Sequence, residues 1–383
     1  MELELWYLIA VPALFVAGWW LRGLDQRQRD NERRPETYYK GINLLLNEQP
    51  DKAIDAFIEV VKLDPETIEL HHALGNLFCR RGEFDRAIRI HNHLLNRADL
   101  PAQERSLALF ELANDYLKAG LYDRAEASFK RLLEESEYHL DAMHALLNIY
   151  CTENEWESAI EMANRLEKEA GENHISEIAH FHCELADRHL RRKEVDDAKH
   201  LLEEALKIDR RCVRALIALG HISLQTNQPE EALSYWAKVE RVSPEHLTLV
   251  MAHMAKAYEM LGKHEQAMNL IHRALADMPR AETLSIALNI VQKAEGDEGA
   301  MRLLKEELER HPSLWAYEKL TQLRLKDHPD NAELQLLAQL LKPYVSQPGR
   351  YECSECGFRA KGFQWHCPGC SGWGTYPPTR IED

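Results

Sequence analysis

The sequence predicts an all-α protein: a superhelical array of paired helices behind one N-terminal transmembrane helix, ended by a small four-cysteine module. Three observations carry that prediction. Residues 5–21 hold no charged side chain, an alanine recurs eight times at intervals of 33 to 39 residues, and Cys353, Cys356, Cys367 and Cys370 form two C-x-x-C pairs. At 383 residues the chain is long for one globular core, which suits an extended array. Its net charge of -16 lacks the basic footprint of a nucleic-acid binder, so no nucleic acid is expected as a partner.

The first element is the apolar run. From Leu3 to Leu21 it is broken only by Glu4, and as a helix it spans roughly 28 Å, close to the hydrocarbon thickness of a bilayer. Trp6, Tyr7, Trp19 and Trp20 bracket it as interfacial aromatics do. A cleaved signal peptide fits poorly, because Glu2 and Glu4 make the start acidic and Trp19 and Trp20 stand where small cleavage-site residues belong. Arg22, Arg27, Arg29, Arg33 and Arg34 follow the span and no Lys or Arg precedes it. The positive-inside rule then places the N-terminus outside and the body in the cytoplasm. Residues 1–21 are read as the anchor and 22–34 as a basic juxtamembrane segment.

The array follows over residues 35–342. Ala53, Ala87, Ala125, Ala159, Ala198, Ala232, Ala267 and Ala300 are spaced by 34, 38, 34, 39, 34, 35 and 33 residues. A small residue sits twelve positions before most of them (Gly41, Gly75, Ala113, Ala186, Gly220, Ala255). A large apolar residue often sits four after (Phe57, Phe129, Leu202, Trp236, Ile271, Leu304), and a proline twelve after several (Pro65, Pro244, Pro279, Pro312). Two helices cross closely only where side chains are small, the bulky position fills the gap, and proline ends the second helix. This is the tetratricopeptide pattern, with Tyr116, Tyr150 and Tyr258 at its aromatic position, and it gives eight or nine repeats. The two long spacings place insertions near Asp99–Pro101 and Gly171–Asn173, and Leu320, Leu323, Leu334, Leu337 and Leu341 suggest a closing helix pair.

Such an array offers an extended concave surface rather than one deep pocket. Asn76, Asn114 and Asn148 take the same first-helix position in three consecutive repeats, and Asn289 takes it near the end. A side-chain amide both donates and accepts, so stacked asparagines can grip a peptide backbone, as in the asparagine ladders of some superhelical repeat proteins. They are the candidate partner-binding residues. No catalytic constellation is found: no phosphate loop, no H-E-x-x-H and no G-x-S-x-G, so an enzyme is not expected. The histidines at 71, 72, 91 and 93 lie on repeat helices without convergent carboxylates, which makes solvated or capping roles the expectation. Cys79, Cys151, Cys183 and Cys212 are scattered and read as structural thiols in a reducing compartment.

The last element begins after a Pro- and Gly-containing linker at 343–350 and covers 351–383. Two C-x-x-C pairs at this spacing suit a tetrahedral ion held by Cys353, Cys356, Cys367 and Cys370, with iron and zinc both compatible. Gly357 permits the positive φ of such a knuckle, and Tyr351, Phe358, Phe363, Trp365, Trp373 and Tyr376 supply aromatic bulk for a module too small to build a core unaided. The knuckles C-x-x-C-G-F and C-P-G-C-S-G are similar to those of rubredoxin, with a ten-residue loop between the pairs and Ser371 where glycine is usual. Those departures favour a metal staple over an electron carrier, which stays the alternative: a membrane-anchored redox scaffold using the four-cysteine iron.

The order of anchor, repeat array and 353–370 knuckles resembles the lipopolysaccharide assembly protein B family across essentially the whole chain. The resemblance implies a non-enzymatic inner-membrane adaptor that restrains lipid A synthesis. It would help a membrane-bound AAA+ protease degrade the UDP-acyl-N-acetylglucosamine deacetylase, its client, and gather other lipopolysaccharide-synthesis proteins at the membrane. It further implies an anchor that pairs with partner membrane helices, a groove that holds a client segment, and a metal module packed back on the array to fix its end. A homodimer is compatible with the large faces of such an array.

Overall fold

The computed structural model describes residues 68–134, 137–277, 281–345 and 351–378. The expected anchor at 1–21, the basic segment at 22–34 and the first repeat lie outside the described residues. Among the described residues no helix is long and apolar enough to cross a membrane. The chain divides into two compact units, residues 1–154 and 155–383.

In the first unit the helices are α1 (Ile68–Arg80), α2 (Phe84–Leu95), α3 (Ala102–Lys118), α4 (Tyr122–Leu132) and α5 (His139–Glu153). The recurring Ala87 and Ala125, the small Ala113 and the bulky Phe129 are all fully buried, as the pattern needs. Each helix pair turns at a left-handed residue. Gly82 has φ 77° and Gly120 has φ 74°. At the first of these turns the N–H of Glu83 donates to Phe78 O and that of Gly82 to Cys79 O, which satisfies the last helical carbonyls. The expected insertion near Asp99–Pro101 forms the connection between α2 and α3.

The second unit continues with α6 (Trp156–Glu169), α7 (Ile175–Arg191), α8 (Val195–Ile208), α9 (Val213–Gln225), α10 (Pro229–Val242), a 3-10 turn at Pro244–His246, α11 (Leu247–Met260), α12 (His264–Asp277), α13 (Ala281–Arg310), α14 (Leu314–Asp327) and α15 (Ala332–Val345). The turn device repeats, here with Lys193, Asn227 and Gly262 at positive φ. The crossing rule is sharpest at Gly220. A Cβ there would lie 2.2 Å from Nε1 of Trp236. The indole is fully buried and its N–H donates to Ile217 O at 3.3 Å. Within α13, Gly296 at φ 76° breaks the helix, so it reads as the two helices of one repeat, with Ala300 buried in the second.

The closing pair α14–α15 is less complete than its leucines suggest. Leu320 and Leu323 are buried, but α15 has no buried residue, and Leu336, Leu340 and Tyr344 are exposed. The array also runs past the expected boundary at residue 342, because α15 continues to Val345 through Pro343. A proline there removes one backbone hydrogen bond and crowds the carbonyl four residues before it, that of Gln339, and the helix ends two residues later.

Candidate metal centre and its docking surface

The C-terminal module is built on two short strands, β1 (Tyr351–Glu352) and β2 (Arg359–Ala360), paired antiparallel. Each C-x-x-C pair forms the same hydrogen-bonded loop. In the first, Cys353 N–H donates to Phe358 O at 3.0 Å and Gly357 N–H to Cys353 O at 2.9 Å. In the second, Cys367 N–H donates to Gly372 O and Ser371 N–H to Cys367 O, both at 2.8 Å. Gly357 has φ 73° and Ser371 has φ 59°, so the serine holds the left-handed conformation that glycine takes in the other knuckle.

The four sulfurs converge. Cys353 and Cys370 are 3.7 Å apart, as are Cys356 and Cys367, and all four Sγ atoms lie within 4.8 Å of one another. A tetrahedral ion with metal–sulfur bonds of 2.3 Å requires sulfur–sulfur edges of about 3.8 Å, so the residues fit an ion of this kind. Burial raises the Cys353 thiol, but the Thr375 hydroxyl, 3.2 Å away, and the amides of Cys356 and Glu355 outweigh it and hold the thiol down at about 6. Cys367 is likewise raised by burial and lowered further by the amides of Cys370 and Gly369 and by the Tyr376 hydroxyl. One sulfur of each knuckle is thus biased towards the thiolate that binds metal. Cys353 and Cys367 face inward, whereas Cys356 and Cys370 are exposed.

The aromatic residues divide differently from the expectation of a shared module core. Tyr351 and Tyr376 pack with Cys353 and Cys367, with Ala360 and Phe363 against them. Phe358 is exposed. Trp365 and Trp373 touch Phe363 and His366 within the module but also pack outward on the helices of the same unit. Trp373 stacks on His180 of α7 at 5.2 Å and meets Trp156 of α6 and Phe181 of α7 edge-on at 5.8 and 5.7 Å. Trp365 stacks on His246 of the 3-10 turn at 5.5 Å, and Phe363 meets the same imidazole edge-on at 6.0 Å. The module packs back on the array, and among the described residues its aromatic contacts lie on α6, α7 and the Pro244–His246 turn. Burial, with smaller contributions from Arg214 and His366, lowers the His180 imidazole to about 3. It is neutral at neutral pH.

The candidate groove residues are spread over the first helices of their repeats. Asn76 donates to Glu111 Oε1 at 2.5 Å, Asn114 donates to Phe110 O of its own helix at 3.0 Å, and Asn148 and Asn289 are exposed. The expectation that the histidines near 72 and 91 lack convergent carboxylates is wrong. Glu111 and Asp115 of α3 reach back to both: His72 Nδ1 contacts Glu111 Oε2, and His91 Nδ1 lies 2.6 Å from Asp115 Oδ2. These partners belong to the next repeat, so no motif within one repeat announces them. Burial opposes charge on this cluster, but the contacts with Asp115 and Glu111 win and raise His91 to about 9. Burial likewise raises Glu111, but its contacts with His72 and His91 dominate and lower it to about 2.

Comparison with known families matches the tetratricopeptide repeat at residues 70–106, 110–174 and 183–244 and the rubredoxin metal binding domain at 351–378. The chain is similar to lipopolysaccharide assembly protein B of Escherichia coli K12, 35% identical over 100% of this chain and 99% of that one. It is also similar to lipopolysaccharide assembly protein B of Haemophilus influenzae, 28% identical over the same shares. Among solved structures, the APC/C hetero-tetramer Cut9–Hcn1 aligns over 74% of this chain and 54% of its own with 15% identity and a TM-score of 0.30.

Proposed function

Because the chain belongs to the lipopolysaccharide assembly protein B family, we propose that it is a non-catalytic adaptor in lipopolysaccharide assembly, held at the inner membrane by residues 1–21 with its body in the cytoplasm. In this reading the array and the docked module present the lipid A deacetylase to a membrane-bound AAA+ protease and gather other lipopolysaccharide-synthesis proteins. The observation that carries the proposal is the full-length relationship, which takes in the N-terminal segment, the repeats and the four-cysteine module together. The docking geometry supports it: Trp365 and Trp373 seat the module on α6, α7 and the adjoining turn, so module and helices offer one composite surface. An ion held by Cys353, Cys356, Cys367 and Cys370 supplies the cross-link between the two knuckles. Asn76, Asn114 and Asn148 stay candidates for partner contact, Asn76 and Asn148 being exposed.

The test follows the half-life of the deacetylase in cells carrying Cys353→Ser and Cys356→Ser, alongside a form lacking residues 1–21. The expected result is a long-lived deacetylase in both, with the repeats still folded. A deacetylase degraded at the normal rate in both strains would overturn the adaptor reading. The exposure of Cys356 and Cys370 supports a second reading, electron transfer from an iron centre to a docked partner. Full function after replacing iron by redox-inert zinc would exclude it.

A further inference from the structure

In every other described repeat with a bulky residue four positions after the recurrent alanine, that residue is apolar: Phe129, Leu202, Trp236, Ile271 and Leu304. After Ala87 it is His91, which is fully buried. Its ring lies so close to α1 that a Cβ at Gly75 would be 2.2 Å from Nε2. An imidazole here gives up apolar packing and must satisfy two nitrogens in a closed space.

One nitrogen is satisfied by a carboxylate. Nδ1 of His91 lies 2.6 Å from Asp115 Oδ2, and Asp115 is itself buried. That fixes the ring and directs Nε2 towards the space shared with α1 and α3. Nε2 is buried, makes no hydrogen bond, and stands 3.1 Å from Glu111 Oε2. The same Glu111 oxygen contacts Nδ1 of His72. Asn76 holds Glu111 Oε1 at 2.5 Å, so this carboxylate too is positioned from behind. One ligand atom from each of His72, His91 and Glu111 falls within 4.8 Å of the others. A third carboxylate, Glu104, lies 3.4 Å from the other ring nitrogen of His72, Nε2, and is partly open to solvent.

We propose that His72, His91 and Glu111 form a second metal site, for a zinc-class divalent cation, in the first unit of the chain. Two imidazoles and a carboxylate, with a fourth position for water, are the donor set of a tetrahedral zinc site. The buried Asp115 behind His91 is the carboxylate–histidine–metal arrangement that orients a ligating ring and raises its basicity. Magnesium and calcium, which require an oxygen cage, do not suit two imidazoles. The bound ion would cross-link α1, α2 and α3 at a place where the repeat pattern otherwise relies on an apolar side chain.

The experiment titrates Zn²⁺ into the full-length chain with its cysteine site already loaded, using calorimetry and metal counting, and repeats the titration with Co²⁺. One further equivalent is expected, and the added cobalt should show ligand-field absorption without a thiolate charge-transfer band. His72→Ala and Glu111→Gln, both at the less buried edge of the cluster, should abolish that equivalent while leaving the cysteine-bound metal in place. Asp115→Asn should weaken it by about 10–100-fold. Because a variant that misfolds would also lose binding, the melting temperature of the wild-type chain is followed in parallel: Zn²⁺ should raise it, and should leave that of folded His72→Ala unchanged. Absence of a second equivalent in the wild-type chain, or its persistence in both His72→Ala and Glu111→Gln, would overturn the proposal.

Discussion

Replacing Trp373 by alanine tests whether the metal module is held on the repeats by its aromatic edge. Trp373 stacks on His180 and meets Trp156 and Phe181 edge-on. Each such pair contributes about 0.5–1.5 kcal/mol beyond area burial, so the three contacts together amount to about 3 kcal/mol. That agrees with the about 3–5 kcal/mol usually lost when a buried tryptophan is truncated, the lower end being apt for a half-buried ring. A loss of about 3 kcal/mol lowers the docking equilibrium constant roughly 150-fold. Hydrogen exchange reads this directly, because residues 175–191 of α7 lose the cover of the module. Exchange in α7 should speed up while the cysteine site keeps its metal. Unchanged protection of α7 in Trp373→Ala would refute the assignment of Trp373 as the anchor of this interface.

Gly220→Ala should destabilise the second unit by about 1–3 kcal/mol, seen as a lower melting temperature, because the new Cβ meets the Trp236 indole at 2.2 Å. Ser371→Gly should stabilise the module by up to about 1 kcal/mol, measured by resistance to metal loss in denaturant, since it relieves a left-handed serine at φ 59°. Docking should weaken in acid. His180 is held neutral down to about pH 3, whereas an undocked imidazole takes up a proton near its ordinary 6.5. The stability it contributes is therefore complete above pH 6.5 and falls by about 1.4 kcal/mol per pH unit as pH drops below that. α7 exchange compared at pH 7.5 and 5.5 should show this dependence in the wild-type chain, and His180→Asn should flatten it. Stripping the metal with a chelator should expose Phe181 and Trp156, detected as increased hydrophobic-dye binding, with the helical signal of the repeats retained.

The repeats were legible because their determinants are local. An alanine at each crossing, a small residue twelve before it and a turn every repeat are fixed by short-range sterics, so Ala125, Ala198 and Ala232 could be placed from spacing alone. The four cysteines were legible for the same reason: two knuckles, each closed within a few residues, name their own ligands. What could not be read is what crosses repeats. His91 looks like a polar misfit until Asp115, 24 residues on, is seen behind it. Trp365 and Trp373 look like core material for a small module, because nothing in residues 351–378 says that the surface facing them is His180, Phe181 and His246. The closing helix misled in the opposite direction. Its leucines have the period of a packed face, but α15 has no following helix among the described residues to bury Leu336 and Leu340.

The small core of the module explains why its metal and its docking belong together. Tyr351, Cys353, Cys367 and Tyr376 form its buried core cluster, and two of these four are ligands. Without an ion those two sulfurs lose their common partner, and the two tyrosines alone cannot hold the knuckles together at this chain length. The strand pair β1–β2 has only two residues on each side and cannot supply what is missing. Trp365 and Trp373 are carried on the segment around the second knuckle, and the Gly374 N–H bonded to Trp365 O at 2.7 Å keeps the two indoles in register. Ion binding, the fold of the module and coverage of α7 are thus links in one equilibrium. This coupling requires only tetrahedral sulfur geometry, which zinc and iron both provide, so a structural role needs no change of oxidation state at the centre.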